Sequence, residues 1–97
     1  MNKALIQFEF KGMTKKQFDQ IWEDLKAAGQ SQPKGLQHHF AAATAQGMVI
    51  TDVWESADRF KEFGKVLMPI LEKNRIPKTQ PVISPLHFEY NAKILAL

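Results

Sequence analysis

The apolar residues of this chain repeat with a period that switches in a fixed order: two, 3.6, two, two, 3.6, two. A helix cannot satisfy a period of two and a strand cannot satisfy 3.6, so the order of elements is strand, helix, strand, strand, helix, strand. Residues 3–10 alternate, with Ala4, Ile6, Phe8 and Phe10 on one side and Leu5, Gln7 and Glu9 on the other. Gly12 breaks this strand. Thr14 followed by Gln17 reads as a capping box, and Phe18, Ile21, Trp22 and Leu25 then share one helical stripe that Gly29 stops. After a polar loop containing Pro33, strands from about Leu36 to Thr44 and from Met48 to Trp54 flank Ala45-Gln46-Gly47, the pattern of an antiparallel hairpin. Ser56 caps a second helix with Phe60, Phe63, Leu67 and Ile70 as its stripe, and Pro69 predicts a kink or break near residues 65–68. The Pro-rich stretch from Asn74 to Pro85 reads as an extended, irregular connection to which Val82 and Ile83 can add a short strand piece. A last strand is expected from about Leu86 to Tyr90, followed by an apolar tail of Ile94, Leu95 and Leu97.

This order is that of the split βαβ, ferredoxin-like unit: a four-stranded antiparallel sheet in the order four, one, three, two, with both helices on one face. With 97 residues there is room for one domain, taken as 1–97. The helix-free face is the informative one, because a sheet face turned to water should be polar. Strand three carries Met48, Ile50 and Trp54 on one side but Val49 and Val53 on the other; Leu5, Ala41 and Ala43 are assigned to that second side. A fully buried Val or Leu contributes roughly 1.5–3 kcal/mol, so leaving several wet forfeits much of a small domain's stability. A second copy packed sheet to sheet is the expected cover, giving a homodimer.

Composition removes whole classes of chemistry. There is no cysteine, hence no disulfide, thiolate ligand or cysteine nucleophile. The 13 Lys and Arg exceed the 10 Asp and Glu by three, but only Arg59 and Arg75 are arginines and the lysines are scattered. The densest group, Lys73, Arg75 and Lys78, reads as a solvated patch, and no nucleic-acid partner is expected. No run approaches the roughly 20 apolar residues of a membrane span, and the start of the chain lacks a leader pattern, so a cytoplasmic protein without a membrane partner is expected. No glycine-rich phosphate loop, nucleophile elbow or paired-carboxylate arrangement is visible, and neither a cofactor nor a metal is expected.

Few residues can carry chemistry. His38 and His39 are adjacent on a strand and point to opposite faces. In the predicted order His39 and His87 lie on opposite edge strands, about 14 Å apart, too far to share a metal ion. His39 is the candidate catalytic base for a phenolic substrate, against the alternative of a structural histidine bonded to backbone. His87 has the same two readings, plus a place at the dimer contact. Asp52 sits between Ile50 and Trp54 on an apolar strand face, where an unpaired carboxylate is costly. It either projects into a wet pocket or meets a cation or donor. Trp54 and Phe63, with Trp22 and Phe60, are either plain core or an aromatic wall for a ligand, and Trp54, at a strand end, is the better placed of them to line a mouth.

Several stretches together resemble the dimeric α+β barrel superfamily, and within it the antibiotic biosynthesis monooxygenase-like proteins. They are Gly12-Met13-Thr14, Gly35-Leu36 with His39, Asp52-Val53-Trp54-Glu55-Ser56, Leu67 with Pro69 and Leu71, and Pro85-Leu86-His87. The resemblance spans roughly residues 3–90 and is to a branch without an assigned reaction. It implies a pocket in each subunit between sheet and helices, and two sheets closing into a barrel. Some members oxygenate electron-rich aromatic compounds with molecular oxygen alone. Others degrade haem with an Asn, a Trp and a His, a set with no counterpart here, since Trp54 lies in strand three and Asn91 near the end. The resulting expectation is a small-ligand pocket, with cofactor-independent oxygenation of a phenolic or quinol-like compound as one outcome. A non-catalytic ligand-binding or structural dimer is the other.

Overall fold

A computed structural model describes residues 2–92. The elements are β1 (Ala4–Lys11), α1 (Lys15–Ala27), β2 (Leu36–Thr44), β3 (Gly47–Trp54), α2 (Ala57–Lys73) and β4 (Val82–Pro85). They form one antiparallel sheet in the order β2-β3-β1-β4, the ferredoxin-like arrangement expected. The apolar tail 94–97 lies outside the described residues. No helix among those described is long and apolar enough to cross a membrane.

Local chemistry accounts for the helix ends. The Thr14 hydroxyl accepts from the Gln17 backbone N–H at 3.1 Å, while the Gln17 side chain accepts from the Thr14 backbone N–H at 2.9 Å, closing the capping box. Gly29, at φ 81°, reverses the chain after α1, and the Gln30 N–H returns to the Leu25 carbonyl. The Ser56 hydroxyl caps α2 through the Arg59 N–H. Asn74, at the far end of α2, donates to Asp24 on α1 at 2.8 Å and ties the two helices together.

Of the kink or break expected near residues 65–68, the break does not occur: α2 runs through Pro69 to Lys73. The lost N–H strands only the Lys65 carbonyl, at an exposed position open to solvent. Beyond the proline, Ile70, Leu71 and Ile76 are buried and hold the last turn against the core. The intrinsic cost of an interior proline is about 3 kcal/mol. Pro69→Ala should therefore raise stability, by about 1–3 kcal/mol, read as a higher urea midpoint at unchanged slope.

The core lies between the helices and one sheet face, built from Ala4, Ile6, Phe8, Phe10, Met48, Ile50 and Trp54 with Ile21, Leu25 and Phe60 from the helices. The hairpin is tighter than expected. Thr44 pairs with Gly47, leaving Ala45-Gln46 as a two-residue turn. Gly47 is at φ 148°, and a side chain there would collide with the Phe10 carbonyl and the Gly12 backbone N, so only glycine fits. This register corrects one assignment. Ala41 pairs with Ile50 and Ala43 with Met48, so both alanines share the helix-side face, and β2 presents Phe40 and Ala42 on the other.

The fourth strand is the short piece expected around Val82 and Ile83, not the strand expected from Leu86 to Tyr90. It is Val82–Pro85, and the segment 86–90 is not a strand. With Ala4 opposite Pro85, the chain beyond Leu86 runs past the start of β1 and has no strand to pair with. It crosses the helix-free face instead. Glu89 bonds both the Lys3 ammonium and His38 Nε2 at 2.8 Å, spanning the face above Val53, which is buried. One end of that face is thus covered by the chain itself, while Phe40 (63% exposed) and Val82 (58%) stay bare.

The hydrogen bond from Lys3, with a second from His38, holds the Glu89 carboxyl below its ordinary value of 4.5. A depressed carboxyl stabilises the folded form above that value and ceases to do so as pH falls below it. The strap should therefore stay seated through neutral pH and release in acid below the ordinary glutamate range. Amide exchange of residues 86–90 against pH checks this, and Glu89→Gln should shift the release away from acid.

Candidate functional site

Register, more than any motif, assembles the site. Pairing of Thr44 with Gly47 sets His39 directly across from Asp52, both on the helix-side face. A bulge between Leu36 and His38 then lets Leu36 lie opposite Trp54. His39 Nδ1 is 2.6 Å from Asp52 Oδ1, and the Trp54 indole N–H donates to Asp52 Oδ2 at 3.2 Å. Asp52 is 6% exposed, yet each of its oxygens has a donor, which removes most of the penalty of burying a carboxylate. The donors come from the neighbouring strand and from two residues along its own, not from a helix.

Geometry fixes the histidine tautomer. An Nδ1 lone pair facing a carboxylate at 2.6 Å would be repelled, so Nδ1 carries the proton and donates to Asp52. His39 Nε2 is buried and has no hydrogen-bond partner. A buried donor and a buried acceptor both lose by lying unsatisfied, so the contact with Asp52 sets the tautomer. The result is an oriented imidazole with a bare basic nitrogen. Phe18 stacks on the ring at 5.9 Å and Trp22 meets it edge-on at 5.1 Å.

That ring forms part of the wall of a cavity between sheet and helices. Asp52, Trp54, Phe63 and Leu67 also line it, and the remaining walls are apolar. Its volume is about 50 Å³. Room for a water needs about 10–15 Å³, whereas a cavity that holds benzene is about 150 Å³. An aromatic ring therefore enters only if a wall moves. No Lys or Arg lines the cavity, so nothing there offsets an anionic ligand.

Of the residues singled out from sequence, His39, Asp52, Trp54 and Phe63 surround this cavity. His87 does not: it is exposed on the segment beyond β4. The pairing of His39 with Asp52 is not visible in the sequence, nor are Phe18 and Trp22 as the rings that flank the imidazole. Among the described residues, no three His, Asp or Glu side chains converge in a way that would hold a metal ion.

No protein-family model matches the chain, and no curated protein matches it by sequence. Solved structures do match. A Chloroflexus aurantiacus protein of antibiotic biosynthesis monooxygenase type is 16% identical with a TM-score of 0.64, covering 92% of this chain and 97% of its own. A dimeric ferredoxin-like protein from an uncultured marine organism is 10% identical with a TM-score of 0.63, covering 96% and 95%. SnoaB, a cofactor-independent oxygenase from Streptomyces nogalater, is 12% identical with a TM-score of 0.63, covering 92% and 97%. At such identities the likeness speaks for architecture, and by that measure the chain has the ferredoxin-like α+β fold of the antibiotic biosynthesis monooxygenase-like proteins.

Proposed function

We propose that the protein is a homodimeric base catalyst in which His39, oriented by Asp52, deprotonates a neutral phenolic or quinol-like compound that then reacts directly with molecular oxygen. The observation that carries this is the 2.6 Å bond from His39 Nδ1 to Asp52, which leaves Nε2 bare at an apolar cavity. The hydroxyl proton passes to Nε2, and Asp52 stabilises the imidazolium that forms. The anion left behind is electron-rich and poorly solvated among apolar walls, which favours its oxidation. For a phenol with an open para position the products are a para-quinone and water. One oxygen atom becomes the new carbonyl, and the other leaves with two substrate hydrogens. Trp54 and Phe63 supply the aromatic wall. SnoaB, described as a cofactor-independent oxygenase, lends this chemistry a precedent on the same architecture.

The test is oxygen uptake with a panel of uncharged phenols and quinols. Uptake matched to quinone formation supports the proposal. A phenol that binds without uptake assigns the alternative, a non-catalytic ligand-binding protein.

The homodimer rests on the bare part of the helix-free face, where Phe40 and Val82 are exposed beside the half-buried Leu5 and Val49. A neighbour with this fold is described as dimeric. Sedimentation at micromolar concentration should give a dimer, and Phe40→Asp should shift it to monomer.

A further inference from the structure

Two hollows meet at His39. One is the small apolar cavity; the other is a polar surface cleft of about 520 Å³, lined by Ser31, Gln32, Gln37 and His38 among others. Trp22, Leu36 and His39 belong to both walls and form the partition between them.

Building on the proposed base chemistry, we infer that Trp22 is the movable partition through which a ligand passes from the polar cleft to His39, and that its bulk sets the upper size of that ligand. An aromatic ring needs about three times the volume the cavity has, so one wall must yield. Most of the walls are fixed. Phe8, Phe10, Ile50 and Trp54 are each less than 8% exposed on the sheet, and Ile21, Leu25 and Phe60 are equally buried on the helices. Within the partition, Leu36 sits on β2 and His39 is held by Asp52. Trp22 is half-buried on α1, and its indole N–H makes no hydrogen bond among the described residues. It faces the loop between Gly29 and Gly35 and touches the His39 ring only edge-on. Swinging this one side chain outward joins cleft and cavity at Nε2.

The rival route lies beside Phe63, which borders both the cavity and a second cleft lined by Lys34, Arg59 and Glu62. A neutral apolar ligand gains nothing from those charges, and Phe63 is packed on the Trp54 ring at 5.1 Å. The Trp22 side also suits a ligand with an apolar, hydroxyl-bearing head and an uncharged hydrogen-bonding tail. The head fills the cavity and the tail stays among Ser31, Gln32 and Gln37.

The experiment measures association rates and affinities of phenol and 1-naphthol for the wild type and for Trp22→Ala, with Trp22→Leu as the variant that keeps an apolar contact on the core. The structure predicts that removing the indole speeds phenol association by about tenfold or more, because the rate ceases to be limited by a conformational step. It also predicts that 1-naphthol, which binds the wild type at least about tenfold more weakly than phenol, approaches phenol in both variants. Phenol association unchanged within about threefold in both variants overturns the inference. So does an acceleration produced by Phe63→Leu and not by the Trp22 variants. Failure of phenol to bind any of the proteins overturns the base chemistry itself, a result distinct from normal binding at an unchanged rate.

Discussion

His39→Ala should lower turnover of an accepted phenol by about two to four orders of magnitude, the usual contribution of a positioned general base. The fold should survive with reduced stability: the variant leaves Asp52 Oδ1 without its donor, a cost of about 1–3 kcal/mol against a total of about 5–15 kcal/mol. Asp52→Asn is the sharper variant, since it preserves shape and removes charge. The amide can present its N–H to Nδ1, which drives the proton onto Nε2 and turns the bare acceptor into a donor. A loss of similar size is expected, falling on kcat with KM little changed, because ligand contact with the aromatic walls persists. Turnover within a factor of a few of wild type in both variants would leave the pair a purely structural hydrogen bond.

The largest stability effect should come from Trp54→Ala. Trp54 is fully buried, packed against Phe60 at 5.8 Å and Phe63 at 5.1 Å, and donates to Asp52. Truncating so large a buried aromatic costs about 3–5 kcal/mol. For a domain of this size that is a major share of a total of about 5–15 kcal/mol. Trp54→Phe separates the two roles: it keeps most of the apolar volume and removes only the N–H that satisfies Asp52 Oδ2. About 1–3 kcal/mol should be lost there, the cost of a buried acceptor left unpaired. Urea unfolding of both variants gives the comparison. Equal losses would mean that the hydrogen bond, not the packing, dominates.

How far the site could be read from the sequence turns on a single residue of register. His39 and Asp52 were each recognisable by type and strand position, and so were the element order and the apolar helix-free face. Their pairing was not. A three-residue hairpin loop, Ala45 to Gly47, aligns Thr44 with Met48 and sets Phe40 opposite Asp52. The observed two-residue turn aligns Thr44 with Gly47 and brings His39 there instead. The same slip sends Ala41 and Ala43 to the wrong face. In this register Gly47 passes tightly against the Phe10 carbonyl, an approach between residues 37 positions apart that no local pattern encodes. The fourth strand misled for a related reason. Alternation at Leu86 to Tyr90 is real, but a strand needs a partner, and β1 begins at Ala4, opposite Pro85. The Pro69 expectation was sound locally and was overridden by burial of Ile70 and Leu71.

One oriented nitrogen carries the proposed chemistry, so the most direct measurement is the nitrogen NMR spectrum of His39, identified by its absence in His39→Ala. The structure predicts a proton on Nδ1, hydrogen-bonded to Asp52, and a bare Nε2 whose resonance moves when phenol is added. A proton resident on Nε2, or an Nε2 resonance indifferent to phenol at saturating concentration, would contradict it.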